Sequence, residues 1–151
     1  MPSGLWRLFI HFMISESIRP HRSRPLAGFL ALALGFLGLH RLYLRARGWW
    51  VYPILSLPLA GWALRADPWF RHPGFFLFSL IAVVTMIEAI VIGLTPDERW
   101  DARHNVGSGQ TSANRWAPVL IAIVSLIGAA MLGMSVMAIA LEGWFNARLG
   151  R

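Results

Sequence analysis

Four long apolar runs constrain this chain more than anything else in it. They cover residues 26–39, 49–64, 74–94 and 116–141, and the last holds 26 residues without a single charge. Runs of this kind are buried on all sides or sit in lipid. A helix crossing a hydrocarbon layer of ~30 Å needs about 20 residues at about 1.5 Å each. The third and fourth runs meet that length, while the first two reach only ~21 and ~24 Å by the same rise. The whole chain is 56% hydrophobic and 14% charged, against about 25% charged in ordinary soluble domains. That balance excludes a disordered chain and argues against a water-soluble globule. The expectation is an all-α integral membrane protein with four transmembrane helices in two helical hairpins.

Two arrangements suit the short pair: a re-entrant hairpin, or two spans whose flanks enter the interface. Tyr43 and Leu44 follow the first run, Trp49, Trp50 and Tyr52 open the second, and Trp69 and Phe70 follow it. Aromatic rings settle at headgroup depth, so these flanks favour spanning. Pro53 and Pro58 predict a bend in the second helix, because each removes a backbone donor.

Outside the runs, residues 5–18 place Arg7, His11 and Ser15 at four-residue spacing on an otherwise apolar surface, which predicts an interfacial amphipathic helix. Thr95, Pro96 and Glu98 form a helix-start signature. A surface helix over 96–104 is expected, then a Gly/Ser linker over 107–114. The chain thus divides into an interfacial segment (1–21), a two-helix hairpin (22–67), a third span (68–94), a surface helix with linker (95–115) and a fourth span with a basic tail (116–151). With four spans both termini share a side, carrying eight Arg against six opposite. The positive-inside rule then predicts cytoplasmic termini.

The segment Gly35-Phe36-Leu37-Gly38-Leu39-His40-Arg41-Leu42-Tyr43-Leu44 resembles the two-transmembrane-helix (TM-two) domain family of bacterial type. Members typically read G-x-x-G-x-H-R-F-Y-L-G at the end of their first helix. Gly35, Gly38, His40, Arg41, Tyr43 and Leu44 match, whereas Leu42 stands in place of Phe and Arg45 in place of the last Gly. The likeness covers about residues 22–67 and implies a two-helix hairpin in a bacterial inner membrane, with no agreed chemistry attached.

Glu88 is the principal candidate for chemistry, since an ionisable group within a span costs roughly 2.5 kcal/mol or more at the bilayer centre. It lies six residues before the end of the third run, on the side of the connection carrying His40 and Arg41. An intramembrane pairing of Glu88 with Arg41 or His40 is therefore expected. Across the same side, Arg45 and Arg47 are expected to meet Asp97, Glu98 and Asp101. Arg41, Arg45 and Arg47 beside Trp49 and Trp50 form a candidate site for anionic lipid headgroups. Ala27, Ala31 and Gly35, and Ser125, Ala129 and Gly133, repeat at four-residue spacing as helix-packing seams, open to an internal helix, a second copy or another membrane protein.

The chain has no cysteine, five histidines without helical metal spacing, and no nucleophile motif or phosphate-binding loop, so neither catalysis nor a metal or cofactor is expected. Its net charge of +7 comes from Arg alone. These Arg lie at the ends of apolar runs, a membrane pattern rather than a nucleic-acid one. Two functions follow as expectations: a non-enzymatic scaffold or regulator working through helix and anionic-lipid contacts, or an oligomeric proton- or ion-coupled transporter or channel subunit using Glu88 and His40.

Overall fold

The computed structural model describes residues 20–113 and 116–150; the expected interfacial helix at 5–18 lies outside them. The described residues are helical and contain no strand. Six helices follow one another: α1 (Arg24–Leu34), α2 (Leu39–Tyr43), α3 (Val51–Ala63), α4 (Pro73–Leu94), α5 (Asp97–His104) and α6 (Ala117–Leu149). Short 3₁₀ turns at Gly35–Leu37 and Trp69–Arg71 join α1 to α2 and α3 to α4.

Among the described residues only α4 and α6, with 22 and 33 residues, are long and apolar enough to cross a membrane. The expectation of four such helices is corrected to two. The first two runs yield helices of 11 and 13 residues, and these do not form a side-by-side hairpin. α1 packs on the C-terminal half of α4, with Gly28 beside Ile92 and Gly35 against Thr85. α3 packs on the N-terminal half, where the backbone of Leu59 and Ala63 closes on Gly74. The two short helices meet only around the 3₁₀ turn, where the Ser56 hydroxyl donates to the Phe36 carbonyl at 2.7 Å. End to end, they measure ~17 and ~20 Å at helical rise, together about the ~33 Å of α4. Residues 24–63 therefore traverse the molecule once, in two pieces.

The break has a local cause. Leu34 leaves the helical region (φ −130°, ψ 22°), and Gly38 adopts φ 69°, a left-handed conformation that costs glycine little. There the chain reverses, and α2 returns along α1. The Ser23 amide donates to the Tyr43 hydroxyl (2.8 Å), and the Arg22 guanidinium donates to the Leu44 carbonyl (2.8 Å). A Cβ at position 38 would collide with the Trp49 carbonyl, so that strand of chain passes directly over the glycine. Pro53 falls in the first turn of α3, where no helical donor is needed, and Pro58 lies inside the helix.

α4 runs back to the Arg24 end. α6 starts there, with Pro118 and Ala122 against Gly93, and continues until Glu142 pairs with Arg71 at 2.5 Å at the far end. Three traversals result. Residues 20–24 and Leu149 consequently stand at opposite ends of the described residues.

What is buried between these helices is small: Ala27, Ala31, Ala89 and Ala122, with Gly28, Gly93, Ser79, Thr85 and Ser125. The large residues of α4 and α6 point outward, among them Leu80, Val91, Leu120, Leu126 and Met134. Only 22% and 11% of the most apolar stretches of these two helices are buried inside the molecule. Of the predicted seams, Ala27, Ala31 and Gly35 lie at contacts, and Ser125 is buried, but no atom approaches a Cβ built at Gly133.

Gly93 and Gly133 therefore differ in kind. A Cβ at Gly93 would lie 2.5 Å from the Pro118 carbonyl oxygen and 2.9 Å from the Ala122 Cβ. Gly93→Ala is expected to destabilise by about 1–3 kcal/mol through overpacking, and Gly133→Ala to leave stability unchanged or raise it. Thermal melts in detergent, followed by circular dichroism, distinguish the two.

Candidate functional site

Glu88 lies about seven-tenths of the way along α4, level with the break between α1 and α3, and three elements converge on its carboxylate. Oε2 bonds to His40 Nε2 at 2.5 Å and accepts from Arg41 Nε at 3.4 Å. Oε1 accepts from the Tyr52 hydroxyl at 2.8 Å and from Arg41 Nη2. His40 and Arg41 come from α2 and Tyr52 from the first turn of α3. The Arg41 guanidinium also sits 5.1 Å over the Tyr52 ring, and His40 meets that ring edge-on at 5.6 Å. An ionised carboxylate accepts about four hydrogen bonds, and this one has four contacts. His40 is fully buried and its Nδ1 has no hydrogen-bond partner. His40 therefore reaches the carboxylate through Nε2 alone.

The remaining motif residues hold the same turn. Gly35 lets α1 close on Thr85, Gly38 reverses the chain, and Tyr43 and Leu44 tie α2 to the start of α1. Arg45 adopts φ 53°, in the left-handed region that favours glycine. Tyr52 entered the sequence reading only as an interfacial aromatic; its spacing of 11 residues from Arg41 carries no signal of a shared carboxylate.

The predicted headgroup set divides. Arg45, Arg47, Trp49 and Trp50 line one shallow concavity of about 680 Å³. Arg41 does not join them, being held by Glu88. Arg45 and Arg47 also do not meet Asp97, Glu98 or Asp101, a correction with a clear cause. Arg24, which opens α1, is the arginine that reaches α5 instead: it pairs with Asp97 at 3.0 Å and donates to the Thr95 carbonyl.

α5 is docked on residues 20–24 by contacts the sequence did not announce. Buried Trp100 donates its indole N–H to the Arg22 carbonyl at 2.8 Å, and Asn105 Oδ1 accepts from the Arg22 amide at 2.7 Å. Thr95 does not cap α5. Its hydroxyl donates to the Val91 carbonyl at 2.7 Å, because Thr95 also ends α4, and Pro96 occupies the N-cap. Beyond α5, Asp101 gathers the linker, accepting from the Ser112 amide and hydroxyl and from Asn105 Nδ2, each at 2.6 Å. Partial burial pushes the Asp101 carboxyl up, but the bonds from Ser112 and Asn105 outweigh it and hold the group below its usual range.

A larger cleft of about 1090 Å³ opens between α4 and α5, from Glu88 at its inner end to Arg99, Arg103 and His104 at its mouth. His40 and His104 both line it. Among the described residues no group of His, Asp and Glu is arranged to hold a metal ion. No family model, curated protein or solved structure matches this chain.

Two outcomes follow from this geometry. Glu88→Gln and Arg41→Gln each leave one partner of a partly buried pair uncompensated, at a cost of about 1–3 kcal/mol. The double variant is expected to cost less than their sum in a detergent-melt cycle. For Asp101 the folded pKa lies below the unfolded one, so its contribution is complete above the ordinary carboxylate range and lost as the pH falls through the folded value. Amide exchange at Ser112 should show protection that disappears only in that acidic window.

Proposed function

We propose that this chain is a non-catalytic, multi-pass membrane protein of the two-transmembrane-helix type, a scaffold or regulator working through helix contacts and anionic lipid. The observation that carries this reading is the sorting of side chains by size. Alanine, glycine and serine lie between the helices, and leucine, isoleucine, valine and methionine face out. Water would drive the large residues inward. Lipid removes that drive and leaves close backbone packing as the source of association.

The family reading draws support from Gly35 to Leu44, where every matching residue has a task at the turn. It gains more from Arg45, whose φ of 53° falls where the family usually has glycine. The membrane crossings in this reading are three, the first of them made by α1 and α3 in succession. The Arg24 end carries Arg22, Arg24, Arg41, Arg45, Arg47, Arg99 and Arg103, and the far end carries Arg65, Arg71 and Arg148. Among the described residues, seven against three favours a cytoplasmic Arg24 end in a bacterial-type inner membrane. Leu149 then lies on the opposite face. The four contacts on the Glu88 carboxylate support a structural role over a proton relay.

Reconstituted vesicles test the proposal. Because the chain has no cysteine, Gln110→Cys and Leu149→Cys each supply a unique thiol. The two are expected to react with an impermeant maleimide from opposite faces. No pH-driven proton flux is expected; a flux abolished by Glu88→Gln would replace the scaffold with a transporter.

A further inference from the structure

The cleft between α4 and α5 shares its inner end, Glu88, His40 and Arg41, with the contacts that hold the fold, while Arg99 and Arg103 at its mouth take no part in them. Its inner end is electrically closed, because Glu88 and Arg41 neutralise each other. Its mouth is not closed. Arg99 and Arg103 stand one helical turn apart on α5, both line the cleft, both are exposed, and neither forms an ion pair among the described residues. The other side of α5 is committed to the Arg22 backbone through Trp100 and to Arg24 through Asp97, which leaves this pair turned to the cleft. Between mouth and floor, Ile87, Val91 and Leu94 form an apolar wall on α4, each half or more exposed. His104 beside them has its pKa lowered by burial and then by the charges of Arg22 and Arg103, so the fixed positive charge at the mouth comes from the two arginines.

We infer that this cleft seats one anionic membrane phospholipid, with its phosphate on Arg99 and Arg103 and an acyl chain along Ile87, Val91 and Leu94. The charge pattern and the depth agree. Glu88 lies ~9 Å below the end of α4 at helical rise, so the cleft runs from the headgroup level into the hydrocarbon. Two guanidinium groups suit a phosphate, which they bind through paired N–H donors. A zwitterionic lipid offers the same phosphate with its charge cancelled. The volume of about 1090 Å³ is just above the range of small-molecule pockets, roughly 300–1,000 Å³, and leaves room for a headgroup with part of a chain. The inference rests on the membrane reading above but uses a different surface from the Arg45–Trp50 concavity.

Native mass spectrometry of the detergent-purified full chain, titrated with phosphatidylglycerol, tests it. One phosphatidylglycerol is expected to bind roughly tenfold or more tightly than phosphatidylcholine, and Arg99→Gln/Arg103→Gln to remove that preference. Val91→Trp, which fills the wall at an exposed position, should weaken binding while leaving the arginines intact. Arg45→Gln/Arg47→Gln should leave this first lipid in place. Retention of the preference in Arg99→Gln/Arg103→Gln overturns the cleft. If Arg45→Gln/Arg47→Gln abolishes it instead, the cleft fails and the wider lipid reading stands. Equal binding of both lipids to the unaltered chain sinks both. Competition by sn-glycerol 3-phosphate at equal concentration would show a phosphate site without a lipid, which also overturns the inference.

Discussion

A single carboxylate at the break in the first traversal holds three elements to one point. Glu88 belongs to the continuous helix α4, His40 and Arg41 to the returning α2, and Tyr52 to α3. Without such a centre, the chain between Leu34 and Val51 would be a long reversal with little to fix it, since α2 is only five residues and makes few contacts beyond α1. The arrangement also resolves the difficulty of placing an acid on an apolar helix. A charged group in hydrocarbon is costly, and here Arg41 supplies the counter-charge while His40 and Tyr52 fill the remaining acceptor positions. Removing either charge exposes the other, so the elements are coupled through the pair rather than through apolar area.

Packing around that centre follows the same economy of small groups. α1 approaches α4 and α6 through Ala27, Gly28, Ala31 and Gly35, and α4 approaches α6 through Gly93. At Gly28 a Cβ would stand 3.2 Å from Ile121, and at Gly35 it would be 2.6 Å from Thr85 Oγ1. Helix axes this close bring backbone dispersion into play, and the hydroxyls of Ser56 and Thr85 return to backbone carbonyls at 2.7 and 2.9 Å. The outward leucines and methionines then contribute to solvation by the surroundings and little to the joining of one helix to the next.

Much of the candidate site could be read from the sequence, and the reason is geometric. Glu88 stands out because it is the one acid in the third apolar run, and the end of that run must share a side with His40 and Arg41 whenever the intervening chain crosses once. That parity survives the loss of the hairpin. The reversal itself was not legible: the run 26–39 stays apolar through the turn, and glycines at 35 and 38 are as ordinary in a packed membrane helix as in a break. Only the third dimension shows that Gly38 has φ 69° and that Arg45 follows with φ 53°. The docking of α5 escaped for another reason. Its bonds run to the backbone of Arg22, and backbone partners leave no trace in residue type. Thr95 was misread because it serves two helices at once, and the carbonyl at the end of α4 claims its hydroxyl.

The broken traversal bears on where the positive charge ends up. A helix running straight from Arg24 through Leu44 would carry Arg41 and Arg45 to the far end of the molecule, giving nearly balanced ends. Reversal at Gly38 brings them back, so the return segment joins Arg22, Arg24, Arg99 and Arg103 at one end. Two consequences follow from electrostatics alone. The asymmetry between ends grows, and in the membrane reading proposed above this favours a single orientation. The concentrated arginines also repel one another at short range, and only Glu88 and Asp97 among the described acids pair with them there. Asp101 is taken up by Ser112 and Asn105. The surplus charge lies on Arg22, Arg45, Arg47, Arg99 and Arg103. In the membrane reading proposed above, phosphate headgroups at that end would supply the counter-charge.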